Sequence, residues 1–233
     1  MPRSFKLEIF FKEARNYTRR NWPSELKYFR KLSRATFHDM SPDDFLEEYA
    51  WVVYAAGFKE AILERKFPAI KKAFRRFSVN YVRTMSNLRP VLKVFNYERK
   101  ARNIIEGARM ISEEGFANFK QRAEKGGPKV LDELPGIGPA TRNQLARNVG
   151  LADVAKPDRW IIRVTKLFKF HSYKKMIEHL SGKFKENYGV VDLILFRFCA
   201  GKFKKASDLA DYVRAPAIPH TAPNRHTRRE RAH

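Results

Sequence analysis

Cysteine is almost absent from this sequence: Cys199 is the only one among 233 residues. A single thiol excludes an intrachain disulfide and a four-cysteine iron–sulfur cluster, and it favours a reducing compartment. Because Cys199 lies in the apolar run LILFRFCAG, we predict a buried structural thiol. The six histidines include no pair at the spacing of a zinc-binding helix, so we expect no metal site made of side chains.

Long apolar runs are also missing. No stretch approaches the roughly 18 apolar residues of a membrane-spanning helix, and the opening MPRSFKLEIFFKEARNYTRR lacks the continuous apolar segment of a signal peptide. We therefore expect a soluble, cytoplasmic protein with no membrane partner, associated with the nucleoid if the source is prokaryotic. With 43% hydrophobic residues, including 19 Phe, the chain has enough apolar material for a core.

Acidic residues are scarce beside basic ones, at 25 against 48, which gives a formal net charge of +23. A polyanion would offset the self-repulsion of so large a charge, and nucleic acid is the commonest such partner. An anionic membrane surface is the alternative, but the cations are spread over many segments and do not line one amphipathic anchor. The basic, proline-containing residues 215–233 predict a disordered tail, which either adds phosphate contacts or is simply a solvated terminus.

Helical periodicity runs through most of the chain, and no convincing alternating strand is present, so the predicted fold class is all-α. One predicted helix has Ser41 as its N-cap and Pro42 in its first position, and another ends near Gly115. We also expect a short helix over 65–77, a loop over 124–130, and two helices between Tyr173 and about Phe203.

A glycine turn, Leu134-Pro135-Gly136-Ile137-Gly138, separates two helical patterns. Two glycines allow a sharp turn and a close approach to another surface. Pro139 is suited to the first position of the next helix, whose free N–H groups would bind phosphate, with Arg142 and Arg147 nearby. Neither a P-loop lysine nor a third Rossmann glycine follows, which excludes those nucleotide motifs.

This turn, LPGIG followed by PATRNQLA, resembles the helix–hairpin–helix that grips the DNA backbone in many repair proteins. Asp158 lies twenty residues after Gly138, between Pro157 and the segment RWIIRV, as in the helix–hairpin–helix (HhH-GPD) DNA glycosylase superfamily. The segments YAWVVYAAGF and YERKARNIIEGARMI resemble further helices of that family. The resemblance covers about residues 41–200 and is densest over 131–164.

The resemblance implies a two-lobed all-α fold with the active cleft between the lobes. One lobe would span 41–150, with the hairpin at about 131–150. The other would combine 1–40 with 151–214 and carry the catalytic Asp158. The resemblance further implies contacts with double-stranded DNA from Pro135, Gly136, Ile137, Gly138, Thr141, Arg142 and Arg163.

The chemistry of such a site is consistent with these residues. Breaking an N-glycosidic bond develops positive charge on the sugar, which a carboxylate such as Asp158 stabilises while it activates water. The target base must first be flipped into a pocket with aromatic walls. Candidate walls are Trp51, Tyr54, Phe58 and Trp160. A structural interpretation stands beside the functional one: Asp158 is suited to a helix N-cap, and the rings of Trp51, Tyr54 and Trp160 are suited to the core.

The chain departs from the family at one informative position. Members that also cut the backbone carry a lysine two residues after the second hairpin glycine, and here that residue is Ala140. We therefore predict a monofunctional glycosylase without an iron–sulfur cluster or lysine-dependent lyase activity. No cofactor is required on this interpretation. The resemblance implies only a hairpin-bound K⁺ or Na⁺, held by the backbone carbonyls of Asp132, Leu134 and Ile137.

Two further points stay open at the level of sequence. The excised base is undetermined, and so is the role, which is either base excision repair or the removal of modified bases from foreign or phage DNA, an antiviral defence. The alternative to a monomeric enzyme is a noncatalytic hairpin protein that binds DNA. An RNA-binding or membrane-surface protein is the third hypothesis, and it predicts no preference for a duplex with a lesion.

Overall fold

The computed structural model describes residues 3–214, and within them the regular structure is entirely helical, which confirms the all-α prediction. Two short 3₁₀ segments, Arg75–Phe77 and Gly127–Glu133, accompany the α-helices. The α-helices in chain order are α1 (Arg3–Asn21), α2 (Pro23–Lys31), α3 (Arg34–Asp39), α4 (Pro42–Ala55), α5 (Glu60–Ala73), α6 (Val79–Val82), α7 (Arg89–Val94), α8 (Glu98–Glu114), α9 (Phe116–Gly126), α10 (Pro139–Asn148), α11 (Arg159–Leu167), α12 (Tyr173–Phe184), α13 (Tyr188–Lys202) and α14 (Ala206–Arg214).

Local signals set several helix ends as predicted. The Ser41 hydroxyl accepts a hydrogen bond from the Asp44 N–H at 3.1 Å, and Pro42 opens α4. Helix α8 ends at Gly115, whose φ of 81° suits glycine far better than other residues. The two helices expected between Tyr173 and Phe203 are present as α12 and α13.

Two predicted boundaries were wrong. Residues 124–130 are not a loop: α9 continues to Gly126, because the buried Phe119 and Ala123 hold it on the core, and a 3₁₀ segment follows at once. A single helix was expected over 65–77. The structure instead divides these residues between the end of α5 and the 3₁₀ segment Arg75–Phe77. The chain turns there through left-handed backbone, which lets the Phe74 and Phe77 rings stack at 5.4 Å.

Buried side chains form two hydrophobic clusters. One lies within residues 37–151 and is called here the hairpin lobe, and the other joins residues 7–26 to 155–209 and is called the terminal lobe. The division of the chain into two independent units, residues 41–150 and residues 1–40 with 151–214, stays a prediction. What the clusters establish is that the chain passes from one core to the other through residues 152–154.

Helix α13 is the centre of the terminal lobe and packs against α1, α2, α11 and α12. Nine of its residues are buried, and Cys199 among them is a free, buried thiol, as predicted. Burial raises the pKa of that thiol well above its ordinary range. In residues 3–214 no helix is both long and apolar enough to cross a membrane. The predicted basic tail, 215–233, lies outside the described residues.

Candidate active site

The glycine turn links the 3₁₀ segment Gly127–Glu133 to α10. Its first half closes through a hydrogen bond from the Ile137 N–H to the Leu134 carbonyl oxygen at 3.1 Å. Leu134 and Ile137 are buried in the hairpin lobe, whereas Gly136, with φ of 81°, is exposed at the apex. The turn is thus anchored from below by two apolar side chains and leaves its glycine backbone accessible from above.

Helix α4 supports the turn through Tyr49. The Tyr49 hydroxyl lies 2.6 Å from the Pro135 carbonyl oxygen, to which it donates a hydrogen bond. The ring passes so close to Gly107 of α8 that a Cβ there would lie 2.4 Å from the ring carbon Cε1. Two helices that are distant from the turn in sequence, α4 and α8, therefore fix its position.

Helix α10 begins as predicted, with Gly138 as N-cap and Pro139 in the first position. The Gly138 N–H donates to the Thr141 hydroxyl oxygen at 2.8 Å, while the N–H groups of Ala140 and Thr141 belong to the first turn and have no intrahelical acceptor. Such a helix start, beside an exposed glycine turn, is suited to a phosphate group. Arg142 is close by and forms an ion pair with Asp132.

Asp158 occupies the N-cap of α11. Its Oδ1 accepts hydrogen bonds from the Trp160 and Ile161 N–H groups at 2.7 and 2.9 Å. The side chain is partly exposed, and within residues 3–214 its Oδ2 makes no hydrogen bond. The N-cap interpretation of Asp158 is therefore correct. It is compatible with the proposed catalytic role, because the cap uses only one carboxylate oxygen. The two N–H groups of the helix start orient the carboxylate, while its other oxygen is not used by the described residues.

The loop before Asp158 is fastened to α10. The Asn143 side-chain amide donates to the Ala155 carbonyl oxygen at 3.0 Å, and the Lys156 amine donates to the Gln144 Oε1 at 2.7 Å. Burial lowers the pKa of Lys156, and the Asp158 carboxylate opposes that shift. Asp158 is thus held beside the helix that carries the glycine turn, which brings the predicted phosphate site and the predicted catalytic acid together.

Sequence reasoning missed one member of this region, Asp192. Its side chain is 1% exposed and forms an ion pair with Arg147, and its Oδ2 also accepts from the Lys156 backbone N–H at 3.0 Å. Burial raises the pKa of Asp192 to about 6, against the opposing effect of Arg147. The signal was available, because Asp192 is the only acid in the apolar run VVDLILFRFCA.

The four candidate pocket rings are divided between the two cores. Tyr54 is wholly buried in the hairpin lobe and packs on Phe95, while Trp160 is 2% exposed in the terminal lobe. Trp51 and Phe58 are partly exposed at the edge of the hairpin core. In this structure only Trp51 and Phe58 therefore have ring surface outside a core.

The other predicted residues have mixed surroundings. The Arg163 guanidinium lies 5.0 Å from the centre of the Trp160 ring, on the helix that follows Asp158. Of the three carbonyl groups proposed for a monovalent cation, that of Leu134 already closes the turn, which leaves its second lone pair free. The described residues contain no cluster of three or more His, Cys, Asp or Glu side chains that could hold a metal.

Arg147 also lines a cavity of about 440 Å³ between α2, the end of α10 and the start of α13. Phe29, Leu32 and Val190 provide apolar walls, and Arg147 and Asp153 provide charge. Asp158 and the four candidate rings are not among its lining residues. The cavity therefore does not serve as the predicted base pocket.

Comparison with known proteins defines the class of fold. No protein-family model matches the chain, and no curated protein matches it in sequence. Solved structures do match. The chain shares its all-α fold with solved DNA glycosylases. Its glycine turn lies on one core, and Asp158 leads into the other.

Two solved structures show this likeness. The 8-oxoguanine DNA glycosylase of Thermotoga maritima matches with a TM-score of 0.59 and 19% identity, over 87% of this chain and all of that chain. The Methanocaldococcus jannaschii 8-oxoguanine glycosylase/lyase, in complex with a 15mer DNA containing 8-oxoguanine, has the same TM-score and identity over 84% of this chain and all of that one. At this identity the likeness establishes the fold.

Proposed function

We propose that this protein is a monofunctional DNA glycosylase that flips a damaged or modified base out of the duplex and hydrolyses its N-glycosidic bond. The observation that carries the proposal is the geometry of Asp158: a helix start holds its Oδ1, no hydrogen bond from the described residues occupies its Oδ2, and its loop is fastened to α10. The fold shared with two 8-oxoguanine glycosylases and the net charge of +23 support it.

In the proposed reaction the bond between C1′ of the sugar and the base nitrogen breaks, and the base leaves with the bonding electrons. The Asp158 carboxylate stabilises the positive charge that develops on the sugar and accepts a proton from the attacking water. The water oxygen then bonds to C1′, and the departing base takes up a proton. The products are the free base and an abasic site in an uncut strand.

The absence of an amine at position 140 favours water as the nucleophile. Ala140 is exposed in the first turn of α10 and cannot form a Schiff base. The amine of Lys156, the lysine nearest Asp158 in sequence, is hydrogen-bonded to Gln144. We therefore propose base removal without lysine-dependent strand cleavage, by a monomer that needs no cofactor.

The glycine turn would supply the DNA contacts. We propose that Gly136, Gly138 and the first N–H groups of α10 bind a phosphate, with Thr141, Arg142 and Arg163 beside it. A K⁺ or Na⁺ bound by the carbonyls of Asp132, Leu134 and Ile137 would stiffen the turn and add positive charge to it. Replacing K⁺ and Na⁺ by tetramethylammonium at constant ionic strength should then weaken DNA binding, and unchanged binding would exclude the cation.

The test is a panel of labelled duplexes, each with one altered base, treated with hot alkali after incubation with wild type or Asp158→Asn. Because both solved structures are 8-oxoguanine enzymes, 8-oxoguanine is the first substrate. We expect breaks only after alkali and only with wild type, while Asp158→Asn keeps its affinity for DNA. Phage DNA with modified bases follows if the synthetic panel stays uncut.

Other outcomes contradict separate parts of the proposal. Breaks before alkali would exclude the monofunctional mechanism, and their loss in Lys156→Gln would make that lysine the nucleophile. Tight, salt-dependent binding without cleavage of any substrate would favour the noncatalytic DNA-binding protein. Equal affinity for intact and lesion-containing duplexes would favour the RNA-binding or membrane-surface hypothesis.

A further inference from the structure

The ion pair between Arg147 and Asp192 joins the two lobes. Arg147 is near the end of α10 in the hairpin lobe, and Asp192 is in the first half of α13 in the terminal lobe. Their side chains are only 12% and 1% exposed. A buried ion pair adds little stability compared with apolar side chains of the same size, so its presence calls for another reason.

Asp192 has a second partner that suggests this reason. The same oxygen, Oδ2, that pairs with Arg147 accepts the backbone N–H of Lys156 at 3.0 Å. Lys156 is two residues before Asp158, with only Pro157 between them. One buried carboxylate oxygen therefore fixes the arginine of α10 and the backbone that leads into the proposed catalytic residue.

Arg147 is itself held firmly. Its Nε and Nη2 donate to the Asn148 side-chain oxygen at 3.3 and 3.1 Å, and its guanidinium lies 5.0 Å from the centre of the Phe29 ring. Gly189 of α13 leaves room for it, because a Cβ there would lie 2.8 Å from the Arg147 Cγ. This side chain can shift little without moving α10 or α13.

The first residues of α13 are tied to the same loop. The Asp153 carboxylate accepts the N–H groups of Tyr188 and Gly189 at 3.0 and 2.8 Å. The segment 153–158 is thus attached to α13 at Asp153 and Lys156, and to α10 at Ala155 and through the Lys156 amine. Among these contacts, the Arg147–Asp192 pair is the one that connects α10 and α13 directly while also holding the loop.

We propose that Arg147 and Asp192 are positioning residues that set the place of Asp158 relative to the glycine turn. This inference rests on the proposed function, since it supplies the geometry on which that function depends. A phosphate bound at the turn fixes the DNA relative to α10. The ion pair fixes the loop of Asp158 relative to α10 as well, so that Asp158 is positioned relative to the DNA. Displacement of a reacting group by about 1 Å is enough to slow a reaction on the order of 100-fold.

The test compares Asp192→Asn, Arg147→Met and the double variant with wild type. The amide introduced by Asp192→Asn would keep an acceptor for the Lys156 N–H but lose the charge that pairs with Arg147. With DNA saturated by enzyme, we expect the single-turnover rate of base release to fall about 10- to 100-fold in each single variant. The dissociation constant for duplex DNA should change less than about twofold, because the glycine turn is untouched.

The double variant and a matched control separate positioning from general loss of stability. The double variant leaves no unpaired buried charge, so it remains informative if a single variant folds poorly. Because the two residues act as a unit, its rate should be no lower than that of the slower single variant. Glu186→Gln is the control: it also removes the partner of an arginine, Arg30, but Glu186 does not contact the loop, and its rate should equal that of wild type.

Hydrogen exchange without DNA makes the inference testable independently of turnover. Amides of residues 153–161 should exchange at least about tenfold faster in Asp192→Asn than in wild type or Glu186→Gln. An active wild type with an equally fast, folded Asp192→Asn would overturn the inference. Faster loop exchange in a protein that releases no base would support the ion pair's hold on the loop and contradict the proposed function alone.

Discussion

Glu48 shows how one partly buried carboxyl group acts on this molecule. It lies on α4, and its Oε2 accepts a hydrogen bond from the Asn148 side-chain amide at 3.2 Å. Burial raises the pKa of Glu48 from an ordinary value of 4.5 to about 7, and Asn148 only partly offsets the shift. The folded protein therefore binds a proton at Glu48 that the unfolded chain releases near pH 4.5.

The sign of the resulting pH effect follows from proton binding. Between about pH 4.5 and 7 the folded state binds more protons at Glu48, so the contribution of this group to the free energy of unfolding falls as pH rises and then stays low above pH 7. Glu48→Gln keeps an acceptor for Asn148 and removes the charge. We expect the variant to match wild type near pH 4.5 and to be more stable by roughly 1–3 kcal/mol at pH 8.

Urea unfolding of both proteins at the two pH values measures this difference. Glu47→Gln is the matched control, since it removes a neighbouring charge that pairs with Lys71 at 2.7 Å on the surface. That variant should gain no stability at pH 8. An equal gain for Glu48→Gln at both pH values would show that packing, and not the charge of the partly buried carboxylate, is responsible.

At the scale of the structural elements, the glycine turn requires glycine at one of its two positions. At Gly136 the φ of 81° lies in the left-handed region, and a Cβ would be 2.4 Å from the Asn103 Nδ2. The φ of Gly138 is −141°, and a Cβ there would meet no atom within 4 Å. The two glycines of one short turn thus differ in how strongly the structure requires them.

Alanine substitutions should separate the two positions. Gly136→Ala forces a left-handed alanine and moves Asn103, so we expect a loss of about 1–2 kcal/mol in the free energy of unfolding. Gly138→Ala replaces a favourable N-cap residue by a poor one without forcing a left-handed backbone, and should cost less, about 0.5 kcal/mol. Thermal unfolding of both variants checks the order. Equal losses would contradict the backbone geometry described for the turn.

The elements that the sequence predicted well are those with local signals. The Ser41 cap, the Gly115 stop and the Pro139 start each involve residues within one helical turn, and the structure has them all. The 3₁₀ segment Gly127–Glu133 was missed because glycines and a proline also favour loops, and the packing of α9 decides between the two. Local chemistry therefore predicted where helices begin and end better than how the chain connects them.

The candidate site, like the helix ends, was predictable where neighbouring residues signal it and not where distant residues meet. Asp158 and the glycine turn belong to one recognisable stretch of about 30 residues, and their residue types indicate their chemistry. Arg147 and Asp192 are 45 positions apart, and nothing local shows that they pair. The rings of Trp51 and Tyr54 could not be divided into core and edge, because a spacing of three on a helix leaves the buried face undetermined.

At the scale of the whole molecule, long-range charge and local chemistry are separate. The net charge of +23 would attract DNA from any direction, whereas the proposed chemistry depends on Asp158 at one fixed place. Neutralising phosphates releases condensed counterions, so affinity should depend steeply on salt. The rate of base release within a complex already formed should not depend steeply on salt, because the loop of Asp158 is fastened by short, partly buried hydrogen bonds.

We therefore expect a plot of the logarithm of the DNA association constant against the logarithm of salt concentration to have a slope of about −4 or steeper. Over the same salt range, the single-turnover rate at saturating enzyme should change less than about twofold. Arg142→Gln should make the slope shallower by about 1, since it removes one of the phosphate contacts proposed at the turn. Arg30→Gln, which also removes an arginine paired with a carboxylate but lies away from the turn, should leave the slope unchanged. Fluorescence anisotropy over a salt series measures the slopes. If both variants shifted the slope alike, the cations would act only as a diffuse field, and the proposed phosphate site at the glycine turn would be wrong.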